Sequence, residues 1–94
     1  MDIVKVISAL NSDLRREILK ILADRPCTVL EVLKNLKNKG LDVKYRETVY
    51  RALEKLVDAE LVEKFYAKEK GLCYKLSLTR ITIEITKELL DIVK

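Results

Sequence analysis

The chain has 94 residues, enough for one hydrophobic core, and we expect a single domain over residues 1–94. Two glycines and one proline are too few for an architecture of many strands and turns, which favours a mostly helical fold. The net charge is +4 and histidine is absent, so no histidine can bind a metal or act as a general base, and we expect neither enzymatic activity nor a cofactor.

The first two predicted elements are helices. Residues 2–10 are apolar over much of a helical circumference and therefore need a partner to cover them. Asn11, Ser12 and Asp13 then supply side-chain oxygens that can cap a second helix, which should reach about Asp24. Apolar residues of this helix recur at helical spacing: Leu14, Ile18, Ile21 and Leu22.

A third helix should follow Pro26, which ends the second. Thr28 and Glu31 have the spacing of a capping box, so this helix should begin at Val29 and run to about residue 38. Gly40 lies where a chain leaving a helix needs a left-handed residue. The turn leads into a fourth helix that begins near residue 45.

Residues 45–63, YRETVYRALEKLVDAELVE, are the most informative stretch of the chain. Val49, Leu53 and Leu56 recur at helical spacing, so the fourth helix has one apolar face. Its opposite face carries arginine, threonine, tyrosine and lysine side chains. The helix should stop at Ala59, after which the chain becomes extended.

A β-hairpin is predicted next, from extended segments at residues 61–66 and 72–78. The sequence AKEKG between them puts Gly71 where the turn needs a left-handed residue, with Lys68 and Lys70 at the tip.

The last segment is ambiguous. Its isoleucines alternate as in a strand, yet four apolar residues also fall on one helical face: Ile81, Ile85, Leu89 and Ile92. We predict a helix from residue 80 to residue 93 that is capped by Thr79. A longer strand that continues through Thr86 is the alternative.

Two strings of the sequence resemble a known family. Residues 48–62, TVYRALEKLVDAELV, and residues 12–22, SDLRREILKIL, are similar to small winged helix-turn-helix transcriptional regulators of the ArsR-like kind in archaea and bacteria. The resemblance covers about residues 10–78. It implies a mainly α fold with a small β-hairpin wing, in the order α-α-α-α-β-β-α, with the fourth helix as the recognition helix.

The chain departs from this family at two places. The family usually has glycine at the position of Glu60, where a non-glycine residue held at positive φ costs about 1 kcal/mol. Metal-sensing members carry a short cysteine-containing motif on the third helix, whereas PCTVLEVL retains one cysteine just before that helix. We therefore expect no metal site.

The resemblance implies a homodimer that binds double-stranded DNA sequence-specifically and regulates transcription. Residues 1–10 and 79–94 would form the dimer interface, because neither apolar face has an obvious place in so small a domain. Residues 44–80 contain nine basic and six acidic side chains, which suits contact with phosphates.

The expected contacts follow from how such domains bind. The recognition helix enters the major groove with its first turns nearest the base edges, while the wing reaches phosphates or the minor groove. Base or near-base contacts are expected from Arg46, Thr48, Tyr50 and Arg51. Backbone contacts are expected from Tyr45 and Lys55. Further lysines would add sequence-independent affinity: Lys44, Lys64, Lys68, Lys70 and Lys75.

Plainer interpretations of the same residues stay open. Arg51 could be held in a surface ion pair with Glu47, four residues away, and Tyr50 could pack on the edge of the core. The acidic residues of the fourth helix favour a protein-interaction module without sequence-specific DNA binding. RNA binding is a third possibility, although no aromatic-rich strand platform is evident.

The remaining observations concern the environment of the protein. No apolar run approaches the roughly 20 residues of a membrane span, and the start of the chain lacks a secretion signal, so we expect a cytoplasmic protein. The absence of glutamine and the 36% of charged residues are typical of proteins from hot habitats, in which intracellular disulfides occur. We expect Cys27 to be a small buried residue and Cys73 a strand residue, with redox sensing as the alternative.

Overall fold

The computed structural model describes residues 2–92 and has the predicted order of elements, α-α-α-α-β-β-α. These elements are α1 Ile3–Leu10, α2 Asp13–Asp24, α3 Val29–Asn38, α4 Arg46–Asp58, β1 Val62–Ala67, β2 Gly71–Leu76 and α5 Arg80–Ile92. The predicted end of the last helix at residue 93 lies outside the described residues. In the described range, each helix is too short or too polar to cross a membrane.

Local caps explain where the helices begin. At the start of α2, Ser12 Oγ accepts a hydrogen bond from the Arg15 amide at 3.2 Å. The predicted capping box begins α3: Thr28 Oγ1 accepts from the Glu31 amide at 3.2 Å, and the Glu31 carboxylate accepts from the Thr28 amide at 2.9 Å. Each bond satisfies an amide that has no partner within its helix.

α3 and α4 end in the same way. Gly40 has φ +85°, and the amide of the next residue donates to the Leu36 carbonyl at 3.1 Å. Glu60 has φ +64°, and the next amide donates to the Leu56 carbonyl at 3.0 Å. Both helices therefore end at a residue with positive φ, and the amide of the next residue bonds to a carbonyl near the end of the helix. At Glu60 this conformation costs about 1 kcal/mol, because its Cβ disfavours positive φ.

The hairpin is bonded to a further segment of the chain, a contact that we did not predict. β1 and β2 pair antiparallel with Ala67 opposite Gly71, and residues 68–70 turn between them. Both strands begin and end within two residues of the predicted segments. On the far side of β2, Cys27 and Tyr74 exchange two backbone hydrogen bonds, of 3.0 and 2.8 Å. The segment between α2 and α3 thus forms a single-residue β-bridge beside the two-stranded hairpin.

One hydrophobic core joins the first four helices to the hairpin, and its burial is the main stabilising contribution to the fold. The largest fully buried apolar side chains are Tyr74, Ile18, Leu19, Leu36, Leu53, Leu56, Leu61, Val6, Val32, Val49 and Val62. α2, α3 and α4 contact one another, while β1 lies against α4 and β2 lies against α2 and α3. This packing fixes the hairpin beside the helix pair α3 and α4.

α5 is a helix, so the alternative of a strand continuing through Thr86 is wrong. As predicted, Thr79 caps it by accepting the Thr82 amide at 3.2 Å. The helix packs against α2, with Ile85 and Leu89 half-buried on the core. This packing corrects the expectation that its apolar face has no place within the domain.

The buried face of α5 also contains threonines. Thr82 is 1% exposed and Thr86 is 5% exposed. The Thr82 hydroxyl lies 3.4 Å from that of Ser77, and the Thr86 hydroxyl donates to the Thr82 carbonyl at 2.8 Å. Because these hydroxyls are hydrogen-bonded, the helix can bury both threonines. Ile81, on another side of the helix, is 49% exposed.

Candidate nucleic-acid interface

The exposed face of α4 carries the residues predicted to contact bases. Val49, Leu53 and Leu56 are buried, so the opposite face of the helix meets solvent. Four exposed side chains project from it: Arg46, Thr48, Tyr50 and Arg51. Tyr45 lies just before the helix and is 71% exposed. The structure therefore brings all five together at the first half of α4.

The start of α4 is open to an anion. Tyr45 occupies the N-cap position, and no side chain caps the first amides of this helix. These amides and the helix dipole create a partial positive charge, which suits a phosphate group. Glu47 lies in the same turn and reduces that potential.

Arg51 forms the ion pair that the sequence left open as an alternative. Its Nη2 lies 2.9 Å from Glu47 Oε1, and the two side chains are 78% and 70% exposed. An exposed pair at this spacing contributes about 0.2–0.5 kcal/mol, because water screens it. A bidentate contact between arginine and guanine contributes about 1–3 kcal/mol. The pair orients Arg51 but is too weak to prevent it from contacting a base.

Tyr50 lines a cleft between α4 and the wing, which we define as residues 62–76. Tyr50 is 45% exposed and is not buried in the core. The cleft has a volume of about 490 Å³. Its lining residues are Thr28, Val29, Leu30, Arg46, Glu47, Tyr50, Lys70 and Leu72.

The lysines predicted to contact phosphates fall into two groups. Three form ion pairs, with N–O distances of 3.1, 3.0 and 4.0 Å: Lys64, Lys70 and Lys75. Three others are exposed and form no ion pair with any residue from 2 to 92: Lys44, Lys55 and Lys68. Lys68 is therefore the wing-tip cation that is most accessible to a phosphate.

Glu54 connects α4 to the wing, and no pattern in the sequence indicates this contact. Its Oε2 accepts a hydrogen bond from the Tyr74 hydroxyl at 2.8 Å, and its Oε1 lies 3.1 Å from Lys64 Nζ. Burial, and then the neighbouring Glu54 carboxylate, raise the pKa of Tyr74 well above its usual value. A tyrosine in a strand and a glutamate on a helix are individually common, so only the tertiary structure reveals their contact.

A second connection between the wing and the helices involves Glu31. Its carboxylate accepts the Thr28 amide and lies 3.0 Å from Lys70 Nζ. The hydrogen bond from the Thr28 backbone, and then Lys70, lower the pKa of Glu31 below its usual value. Lys70 thus connects the wing tip to the start of α3 through an exposed ion pair, which is too weak to immobilise the tip.

The two cysteines lie in the interior as free thiols. Burial raises the pKa of Cys27, which reduces the fraction of reactive thiolate. Both positions agree with the expected roles as a small buried residue and a strand residue. Among residues 2–92 there is no group of three or more acidic or cysteine side chains that could hold a metal ion.

No protein-family model and no curated protein sequence matches the chain. HlyU from Vibrio cholerae N16961 has a TM-score of 0.72 at 24% identity, over 96% of this chain and 88% of HlyU. The transcriptional repressor BigR from Xylella fastidiosa has a TM-score of 0.73 at 18% identity, over 96% of this chain and 81% of BigR.

A shorter match involves a variant of ZitR from Lactococcus lactis, with a TM-score of 0.67 and 24% identity over 82% of this chain. It covers 49% of ZitR, so the chain spans about half the length of that protein. At these identities the likeness shows the fold. With α3 and α4 joined by a tight turn and the hairpin beside them, the chain has the winged helix-turn-helix fold.

Proposed function

We propose that the chain is a sequence-specific DNA-binding transcriptional regulator that acts as a homodimer. The exposed face of α4 carries this proposal, because its uncapped start and its two arginines lie beside a wing with an exposed lysine at the tip. A helix and a wing in this arrangement fit a major groove and the phosphates next to it. The shared fold with a protein described as a transcriptional repressor supports the same function.

In the proposed complex, α4 enters the major groove with its first turns nearest the bases. Arg46 and Arg51 reach guanine edges, while Thr48 and Tyr50 contact neighbouring bases. Phosphate contacts come from the remaining predicted residues. Lys70 and Lys75 exchange their carboxylates for phosphates, while Lys64 donates to a phosphate and stays paired with Glu54. The full set is Tyr45, Lys44, Lys55, Lys64, Lys68, Lys70 and Lys75.

The homodimer is proposed from exposed apolar side chains on α1 and α5. Three on α1 are 62%, 70% and 63% exposed: Ile3, Val4 and Ile7. Three on α5 are 49%, 39% and 42% exposed: Ile81, Ile83 and Leu90. A second copy would bury both sets and place two recognition helices on half-sites about one helical turn apart. Residues 1, 93 and 94 of the proposed interface lie outside the described residues.

A protein-interaction module is the alternative function. Glu47 and Glu54 lie on the α4 face that would meet DNA, where they repel phosphates. Leu30 is 57% exposed and Tyr66 is 81% exposed on neighbouring elements. A protein partner could bury these apolar side chains, whereas a DNA backbone would not.

Fluorescence anisotropy against random duplex DNA and against a selected operator pool, across a salt series, separates the two functions. We expect tighter binding to the selected pool and an affinity that falls steeply with salt. Arg51→Ala should weaken operator binding about 5- to 150-fold, the equivalent of the lost base contact. A protein that does not bind duplex DNA even at low salt would not be this regulator.

A regulator of transcription would act in the cytoplasm, which is where we propose it is located.

A further inference from the structure

Glu54 connects the recognition helix to both strands of the wing. Its two carboxylate oxygens bind different strands: Oε1 lies 3.1 Å from Lys64 on β1, and Oε2 accepts the hydroxyl of Tyr74 on β2 at 2.8 Å. Lys64 and Tyr74 are directly opposite each other in the hairpin. One side chain of α4 therefore holds a single cross-strand pair of the wing.

This connection is built into the interior of the domain. Tyr74 is fully buried, and within the described residues its hydroxyl has Glu54 as its hydrogen-bond acceptor. The Glu54 side chain is 30% exposed, so water screens its ion pair with Lys64 less than an exposed pair. Because a buried hydroxyl without an acceptor is costly, the wing cannot rotate away from α4 without breaking a strong contact.

We propose that Glu54 is a positioning residue for DNA binding: it sets the distance and angle between the wing and α4, so that the wing tip reaches phosphates while α4 occupies the groove. This inference rests on the proposed DNA binding. In it, Lys68 is the side chain that makes the tip contact and Glu54 acts through the hairpin. Glu54 itself contacts no DNA, since its oxygens are engaged by Tyr74 and Lys64.

The test uses variants that preserve side-chain volume. Glu54→Gln with Tyr74→Phe removes the hydroxyl hydrogen bond and the charge of the ion pair without leaving a buried hydroxyl unpaired. Glu63→Gln is the matched control, because it also removes one carboxylate charge, here from a wing residue that pairs with Lys75 across the hairpin. The melting temperature of each variant is measured first, to establish that it is folded.

The readout is the salt dependence of operator binding, with and without Lys68→Ala. In the unmodified protein and in Glu63→Gln, Lys68→Ala should reduce the slope of log affinity against log salt by about 0.9, the value for one lost phosphate contact. In Glu54→Gln with Tyr74→Phe, the reduction should be less than half of that, because the tip is no longer held at the phosphate. A merely structural role of Glu54 would change stability but not this coupling.

The outcomes separate this inference from the proposed function. If the unmodified protein binds the operator and Lys68→Ala has the same effect in all three backgrounds, Glu54 has no positioning role, while the proposed DNA binding stands. If Lys68→Ala does not change the salt slope of the unmodified protein, the wing tip makes no phosphate contact, and the positioning role of Glu54 is overturned as well. Failure of the unmodified protein to bind any duplex overturns both proposals.

Discussion

At the scale of single residues, Glu60 has a backbone conformation that glycine adopts at lower cost. We expect Glu60→Gly to raise the free energy of unfolding by about 1 kcal/mol, since glycine has no Cβ to disfavour positive φ. Urea denaturation measures the change. The control is Gly40→Ala, which should lower the free energy of unfolding by a similar amount. A Cβ at Gly40 meets nothing within 4 Å, so the loss would come only from the strain of an alanine at φ +85°. A destabilised Glu60→Gly variant would contradict the explanation.

Glu31 should contribute to the acid sensitivity of the fold. Its pKa is lowered in the folded state from the ordinary value of 4.5, by the Thr28 backbone and then by Lys70. Its contribution is therefore present above pH 4.5 and is lost as the pH falls through the folded pKa.

The variant Glu31→Gln keeps an acceptor for the Thr28 amide but removes the charge. We expect its stability to decline less than that of the unmodified protein as the pH is lowered below 4.5. Urea denaturation at a series of pH values measures the difference. Identical pH profiles for the two proteins would show that the carboxylate is not linked to folding.

At the scale of elements, the two buried threonines of α5 should respond differently to valine. Thr82→Val removes the hydroxyl that bonds to those of Thr79 and Ser77, and should cost about 1 kcal/mol because the buried Ser77 hydroxyl loses a partner. Thr86→Val removes a hydroxyl whose one hydrogen bond among residues 2–92 is to the Thr82 carbonyl of the same helix, and should be close to neutral. Thermal unfolding of both variants checks this order. Equal losses at both positions would contradict it.

Features determined by nearby residues were predictable at this scale. The capping box of Thr28 and Glu31, the left-handed Gly40 and the first turn of α4 depend on residues a few positions apart, and the sequence contains those signals directly. The same holds for the ion pair between Arg51 and Glu47.

Contacts between distant residues were not predictable from one sequence. The pairing of Cys27 with Tyr74 and the contact of Tyr74 with Glu54 each require the tertiary structure. α5 shows a further limit, because hydrophobicity favoured Ile81 as a buried residue while hydrogen bonding allowed Thr82 to be buried instead. The spacing of apolar residues predicts which face of a helix is buried. It cannot show that the Thr82 hydroxyl finds hydrogen-bond partners in the loop before the helix.

At the scale of the whole molecule, the exposed apolar residues of α1 offer a test of the homodimer. Ile7 is 63% exposed, so Ile7→Lys should leave the fold intact while introducing like charges into a symmetric interface. We expect a monomer by sedimentation and an operator affinity at least 10-fold weaker, because one half-site contact remains per molecule. Tyr66→Ser, at a wing residue that is 81% exposed, should not change the oligomeric state. Unaltered sedimentation of Ile7→Lys would exclude this face as the interface.

The β-bridge at Cys27 affects how the wing opens locally. A hairpin of two strands is only marginally stable in water, but here the middle of β2 is bonded on a second side, by the exchange between Cys27 and Tyr74. We expect the amides of these two residues to exchange hydrogen only through global unfolding, and those of residues 68–70 to exchange through small local fluctuations. Native-state hydrogen exchange would reveal this gradient, and uniform rates along the hairpin would disprove it. Such a wing would be rigid where β2 meets Cys27 and adaptable at its tip. In the proposed complex with DNA, it could therefore follow grooves of different width while α4 stays in place.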